Sequence, residues 1–526
     1  MAKQSFMHGA IVLAAAGGTT KMMGMMIQVV IARELGAQGF GLFQTINPIF
    51  FMLLTISTLA LPAALSKVIA ENLALGNVAK VRRALWVAHI TVIVLSLTVC
   101  LGAIAFAPEI SNRWLDPRGF LPLVGAILRI PVVCLSSVMS GYYMGTQNQG
   151  PPAAAWIIET AVRTLVTIPL ILALNPHGIG YGALAVMIGA GIGELAGYLY
   201  MLWRYLTRDK RLLIQVAPAV NTLARAKGTI RDLVEVALPT TVTNLCGIVA
   251  YAAEPVIIYI AFAHIGIART QATALYGSFG MAAELLFLPT VLSSSISSVV
   301  IPAVSEAAAM RNQRLVSRRL NQVIQATFMI ALPATVFFIL SGHDLAHSLY
   351  KDHLAGALLA YLAPTCAFIY ILDPLSAILQ GLNKALLSTV VTMFTSCIRM
   401  ICIYYFVGHA GQGIFGVATS LAISGIVATF LSLYFLRELV SMSINFLGLA
   451  KLVIATGLAA IPIHEIQSAF AAADPLLQVT ASLLLGSAVY LLAILYLRVL
   501  PIRTIHNIPW VGPTIVKALL HMPFVS

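Results

Sequence analysis

The chain has 526 residues, 60% of them hydrophobic and only 9% charged, with a mean hydropathy of +0.94. A water-soluble fold is excluded, because globular chains need about 25% charged residues to wet their surfaces. A formal charge of +13 would suggest nucleic acid in a soluble protein, but in a chain whose solvent is lipid Lys and Arg are first topology signals, and no nucleic-acid partner is expected.

A membrane-crossing helix needs roughly 20 mostly apolar residues. Cutting the chain at charged or Pro/Gly-rich breaks predicts fourteen. The first six cover about 9–32, 42–69, 84–106, 120–144, 153–174 and 180–203. The next six cover about 233–262, 272–301, 322–340, 356–380, 386–407 and 413–436, and the last two about 449–471 and 476–497. The first apolar stretch starts near His8 and runs past Lys21 to about Ala32, longer than the core of a cleavable signal, so it is expected to be a span. The tail from Pro501 to Ser526 is expected to lie along the cytoplasmic interface as a short amphipathic helix.

Fourteen crossings put both termini on one side. With the N-terminus in the cytoplasm, twenty Lys and Arg fall in cytoplasmic segments and five outside, as the positive-inside rule demands. Six basic residues remain within or at the edge of spans: Lys21, Lys67, Arg129, Arg163, Arg399 and Lys451.

A repeat is visible in the same pass. Leu61-Pro62-Ala63-Ala64-Leu65-Ser66 ends the second span and Ile301-Pro302-Ala303-Val304-Ser305 ends the eighth, each before a basic linker. Gly145-Thr146-Gln147-Asn148 after the fourth span echoes Gly381-Leu382-Asn383-Lys384 after the tenth. The expected architecture is an all-α integral membrane protein with two pseudo-symmetric six-helix lobes, 1–203 and 233–440. A basic cytoplasmic linker, 204–232, joins them, and two extra helices with the interfacial tail follow at 441–526. Parallel repeats of this kind place a substrate path between the lobes.

Charges at the centre of a span cost about 2.5–3.5 kcal/mol each, so they are turned toward protein or a wet cavity. Gly17, Lys21, Gly24 and Gln28 form one helical stripe. It fits either a phosphate-binding cation with room for a lipid tail, or a close helix contact with Lys21 paired to an acid. Glu159 and Arg163, at i and i+4, are able to pair on the fifth span. Arg129, ahead of Pro131, and Arg399 have no acid on their own helix. Glu194, Glu254, Glu284 and Asp373 either neutralise these cations or line the path and carry protons. Thr240, Thr241, Thr243 and Asn244 follow Pro239, a bending point. The candidate substrate-binding residues are therefore Lys21, Gln28, Arg129, Glu159, Arg163, Asn244, Glu254, Glu284 and Arg399. The six cysteines sit in apolar stretches without metal-ligand spacing and read as small core residues. No hydrolase, metalloprotease or phosphate-loop signature is present, so neither an enzyme, a metal nor a cofactor is expected.

Several segments together carry a family resemblance. They are Met1 to Phe6, Val30-Ile31-Ala32-Arg33-Glu34-Leu35-Gly36 leading to Gly39-Phe40-Gly41-Leu42, and Leu61 to Glu71. Further on come Gly141-Tyr142-Tyr143-Met144-Gly145-Thr146-Gln147-Asn148, Glu159 to Arg163, Glu254-Pro255, and Tyr276-Gly277 through Pro289 to Glu306. They resemble the stage V sporulation protein B family, in the polysaccharide-transport branch of the superfamily that also holds multidrug antiporters and lipid II flippases. The resemblance covers most of the first twelve spans and thins beyond about residue 440. It implies a fourteen-helix bacterial plasma-membrane transporter of alternating access that moves lipid-linked cell-wall precursors outward. The implied partners are a polyprenyl-diphosphate-linked sugar, membrane lipids and cell-wall synthesis proteins. Lipid II flippases carry an arginine on the first helix where Lys21 stands here, and a second nearby where this chain has Ile27. The alternatives are a cation-coupled antiporter of small molecules on the same fold and a non-transporting scaffold for cell-wall synthesis.

Overall fold

The computed structural model describes residues 6–209, 223–440, 445–469 and 474–499. The expected interfacial helix of the tail and part of the 204–232 linker lie outside them. Every described element is helical, as a chain in lipid requires: only an intrasegment ladder or a closed barrel satisfies each backbone N–H and C=O without water.

The first helix, α1 (Phe6–Thr58), is two spans joined at Gly36, whose backbone (φ 63, ψ −172) leaves the helix in a region open only to glycine. Without that break, the 58 residues Gly17–Ala74 would form a single candidate span, about 87 Å long at 1.5 Å per residue and far beyond a bilayer. Thirteen stretches of the described residues are long and apolar enough to cross; dividing this one at Gly36 gives the fourteen crossings expected.

In chain order there follow α2 (Leu61–Ala74), α3 (Val78–Glu109), α4 (Phe120–Leu128), α5 (Ile130–Gly145), α6 (Gly150–Leu174) and α7 (Ile179–Arg204). Beyond the linker come α8 (Leu223–His264), α9 (Arg269–Leu286), α10 (Thr290–Ala309), α11 (Gln313–Tyr350), α12 (His353–Leu362) and α13 (Cys366–Gly381). The last four are α14 (Ala385–Gly408), α15 (Ile414–Leu439), α16 (Phe446–Ala469) and α17 (Pro475–Tyr496). Four predicted spans are each broken in two. Leu59 and Ala60, both at positive φ, separate α1 from α2 within the second. Arg129, ahead of Pro131, separates α4 from α5; Phe287 to Pro289 separate α9 from α10; and a turn containing Pro364 separates α12 from α13. Proline lacks the N–H that would continue the ladder, which helps end the helix at these turns, although Pro48, Pro302 and Pro333 lie within continuous helices.

The repeat is structural as well as sequential. After α2 the chain turns through left-handed Gly76 (φ 70) and Asn77 caps α3 by accepting from Lys80 N–H; after α10 it turns through left-handed Arg311 (φ 52) and Asn312 caps α11 by accepting from Leu315 N–H. Gln147 (φ 56) and Asn383 (φ 59) end the α5 and α13 motifs in the same conformation. In the first copy Gly145 packs on Ser66 and Ile69, and in the second Gly381 packs on Ile301 and Val304.

Contacts divide the chain into two compact units, residues 1–280 with 403–414, and 281–402 with 415–526. The second holds a core of Val304, Leu320, Leu375, Ile378 and Leu436, and a smaller one where α16 and α17 pack on each other around Leu452, Ala455 and Tyr490. Large apolar side chains such as Trp86, Leu101, Phe106 and Leu484 stand exposed, as lipid-facing residues do. Of the cysteines, Cys100, Cys134 and Cys366 are core residues as expected, but Cys397 is exposed, because its face of α14 is not covered.

Candidate functional site: an intramembrane charge cluster

The α6–α7 pair is the tightest in the first unit. Gly189, Gly193 and Gly197, each four residues apart, present bare backbone to α6: a Cβ on Gly193 would lie 2.6 Å from the Glu159 carbonyl oxygen and 2.8 Å from Arg163 Cβ, and one on Gly197 3.2 Å from the Ala155 carbonyl oxygen. Small residues at this spacing let membrane helices approach closely, since packing replaces the absent hydrophobic drive. Close approach fixes the charged side chains that flank the stripe.

Glu159 and Arg163 pair along α6, with Arg163 Nη2 3.6 Å from Glu159 Oε1, both side chains mostly covered. Glu194 comes from α7 beside Gly193. Arg129, at the α4–α5 break, lays its guanidinium 4.0 Å above the Phe50 ring in a cation–π contact and points Nη1 toward Met187 Sδ at 3.8 Å. The four groups lie close enough to influence one another's charge: Arg129 acts on Glu159 and Glu194, and Arg163 acts on all three. The Nε atoms of Arg129 and Arg163 are buried and without a hydrogen-bond partner. Two guanidiniums and two carboxyl groups thus share one site, with spare guanidinium donors.

The other sequence-predicted residues fall elsewhere. Lys21 is exposed and in no ion pair among the described residues. Among the described residues nothing lies within 4 Å of a Cβ placed on Gly17 or Gly24, so the structure shows no close helix contact at these two glycines. Gln28, one turn below Gly24, has a buried Oε1 with no partner. Asn244 on α8 is exposed and Glu254 on the same helix is buried. Glu284 on α9 and Arg399 on α14 are half-buried in the second unit, with Glu284 acting on the Tyr350 hydroxyl. Lys67, counted at a membrane edge, is exposed and 3.9 Å from Glu71.

Sequence reasoning missed a second polar network, between α1, α8, α9 and the turn before α4. Asp116, 1% exposed, accepts from Arg118 Nη2 at 2.7 Å and from Thr273 Oγ1 at 2.8 Å. Arg118 Nη1 donates to Gln38 Oε1 at 3.0 Å, and Tyr259 OH lies 2.6 Å from Thr273 Oγ1. Arg269 caps the preceding turn, donating to the carbonyl oxygens of Asn112, Arg113 and Leu115. Asp116 and Arg118 are only two residues apart, but the contacts that join them to Gln38 and Thr273, and Arg269 to the turn, span 80 to 157 residues, and nothing in the local sequence marks those.

Residues 6–308 match the family described as polysaccharide biosynthesis protein. The chain belongs to that family. It is 29% identical over 525 residues to stage V sporulation protein B of Bacillus subtilis (strain 168), covering 98% of this chain and 100% of the relative. Lipid II flippase MurJ of the same organism is 26% identical over 427 residues, 75% of this chain and 76% of that protein. Among solved structures, a lipid II flippase MurJ in an inward closed conformation superposes with a TM-score of 0.70 at 15% identity, covering 93% of this chain and 99% of that one. The chain is a multi-pass membrane transporter of that family, similar along its whole length to stage V sporulation protein B, and it has the fold of the multidrug/oligosaccharidyl-lipid/polysaccharide exporter superfamily.

Proposed function

We propose that this transporter is a flippase that moves a lipid-linked, diphosphate-bearing cell-wall or polysaccharide precursor, such as lipid II, from the cytoplasmic to the outer leaflet by alternating access, with both termini cytoplasmic. The observation that carries this reading is the pair of intramembrane guanidiniums, Arg129 and Arg163, with buried and unpartnered Nε atoms. A diphosphate head cannot cross hydrocarbon without replacing its water, because burying an unpaired charge is prohibitive. A guanidinium restores both charge and directed hydrogen bonds to phosphate oxygens, in a planar fork that lysine lacks. Glu159 and Glu194 neutralise the arginines while the site is empty, and an arriving phosphate exchanges for carboxylate. Exchange between two anions of similar strength keeps binding reversible, as a carrier needs for release.

Lys21, exposed on the first helix, offers a further cation to the head. Gln28, Asn244 and Glu254 in the first unit, and Glu284 and Arg399 in the second, are proposed as polar lining at membrane depth. An apolar groove of about 740 Å³ between α16 and α17, lined by Leu458, Ile461, Ile466, Leu485 and Leu492, suits an isoprenoid tail. The chemistry proposed is carriage alone, with no covalent step.

The test is flipping of a fluorescent polyprenyl-diphosphate saccharide in proteoliposomes, read by an external quencher. Arg129→Ala and Arg163→Ala are expected to slow flipping by at least about tenfold, the equivalent of 1.4 kcal/mol of head binding. Arg437→Ala, at the end of α15, is expected to leave it unchanged. Undiminished flipping by an Arg129→Ala, Arg163→Ala double variant would contradict the proposal.

The interleaving of Glu159 and Glu194 with the arginines favours a second reading, a cation-coupled small-molecule antiporter whose carboxylates exchange protons. Uptake of a cationic dye stimulated by a proton or sodium gradient, and lost in Glu194→Gln, would favour it.

A further inference from the structure

Three histidines meet at one end of the second unit. His343 and His347 stand at i and i+4 on α11, the spacing that puts two imidazoles on one helical face, and His353 opens α12 after a two-residue turn through left-handed Lys351. The ring centroids of His343 and His353 are 5.4 Å apart and those of His347 and His353 4.0 Å apart. Two features hold the arrangement rigid. Asp352 caps α12 by accepting from Ala355 N–H at 2.9 Å, and Gly356 lies so close to α11 that a Cβ there would be 2.8 Å from the His343 backbone. The His347 Nδ1 is buried and has no hydrogen-bond partner. A buried ring nitrogen without a partner is an open position, and imidazole nitrogens are the commonest ligands of late first-row metals.

We propose that His343, His347 and His353 form a site for a divalent late first-row transition metal, Zn²⁺ being the simplest occupant. A metal 2.0–2.1 Å from each of three imidazole nitrogens in tetrahedral array holds ring centroids about 5 Å apart. The His343–His353 pair is already at that separation, while the His347 and His353 rings, stacked at 18°, must turn out of their near-parallel stack and open by about 1 Å so that a nitrogen of each faces one ion; the two outer rings, His343 and His353, are exposed and free to rotate. Among the described residues no three donors have already converged, so the metal draws the rings together rather than entering a finished cage. Asp344 supplies the outer shell: its Oδ1 lies 3.4 Å from His343 Nδ1, which directs the His343 Nε2 at the metal. Three protein ligands leave a fourth position open to water or an incoming ligand. The cation would staple α11 to α12. Because α11 is 38 residues, about 57 Å, and begins in the arginine-rich segment Arg311 to Arg319, the site lies at the opposite membrane face from those arginines. On the positive-inside reading that face is outside, where metal from the medium reaches it. The proposal stands independently of the flippase reading.

The experiment is Zn²⁺ titration by calorimetry of the whole chain in lipid nanodiscs, stripped with chelator and carrying no polyhistidine tag. One saturable Zn²⁺ per chain is expected, together with a Zn²⁺-dependent rise in melting temperature that chelator reverses. His347→Ala and His353→Ala are expected to remove both effects, and Asp344→Asn to weaken binding by roughly tenfold to a hundredfold. His409→Ala, a histidine of the other unit, is expected to leave binding intact. Variants are compared only where their metal-free melting matches the wild type; His353, exposed on the first turn of α12, is the substitution least able to disturb the core. No saturable binding to the wild type, or binding unchanged in His353→Ala, would overturn the proposal, as would equal losses in His353→Ala and His409→Ala.

Discussion

Asp116 is buried, and burial alone would push its carboxyl upward. Hydrogen bonds from the Arg118 side chain and backbone and from Thr273, with the nearby guanidinium charge, outweigh this and hold it below the ordinary carboxylate value. A carboxylate with a depressed folded pKa contributes stability that is complete above its unfolded value, near 4, and is lost as pH falls through the folded value. Melting of the reconstituted protein is therefore expected to fall as pH drops below about 4. Asp116→Asn is expected to be weaker by about 1–2 kcal/mol at neutral pH, because Arg118 is left with an unmatched donor, and to show a shallower acid dependence. An Asp116→Asn variant melting like the wild type at both pH values would contradict this role. The residue scale is also where the sequence was least informative. The Glu159–Arg163 pair was legible because a helix puts i and i+4 side by side. Arg129 joining Glu194 was not, because that meeting depends on how α4, α5 and α7 pack.

At the scale of elements, hydropathy located the apolar stretches but not their interruptions, and it placed the eighth at 272–301 where the structure has its long apolar helix at Thr290–Ala309. A window of apolar residues counts Arg129, Pro289 and Pro364 as minor losses, whereas in the helix ladder a proline removes a donor, and at these turns the segment ends. The two stretches with glycines at helical spacing make the same point more sharply. Gly17 and Gly24 have no described residue within 4 Å of a Cβ, whereas the Gly189–Gly193–Gly197 stripe, with the stricter repeat of four, packs closely. Gly193→Ala is thus expected to force α6 and α7 apart and destabilise the protein by about 1–3 kcal/mol, the usual cost of overpacking. Gly24→Ala is expected to be neutral or slightly stabilising through its better helix propensity. Thermal melting in nanodiscs distinguishes them; equal effects would contradict the assignment of the packed face. Flipping should fall with Gly193→Ala as well, since the same contact positions Glu159 and Arg163.

For the whole molecule, composition and the distribution of Lys and Arg were decisive, because insertion into lipid is a global constraint that each segment must meet. The family followed from motifs spread along the chain, and the repeat from offsets of about 240 residues that reappear as matched turns and glycine contacts. What the chain carries is the part that no global property specifies. The proposed substrate has a charged head, so its outward movement is coupled to the membrane potential: an inside-negative 100 mV favours each negative charge by about 2.3 kcal/mol.

The most direct measurement is the rate of outward flipping of a fluorescent polyprenyl-diphosphate disaccharide in oriented proteoliposomes, with and without an imposed inside-negative potential. The wild type is expected to flip it faster under the potential, by up to about fiftyfold for each charge moved. Arg163→Ala is expected to lose both the basal rate and its voltage dependence. Flipping no faster than in protein-free liposomes, by protein shown to be folded and oriented, would contradict the assignment of a lipid-linked diphosphate as the cargo.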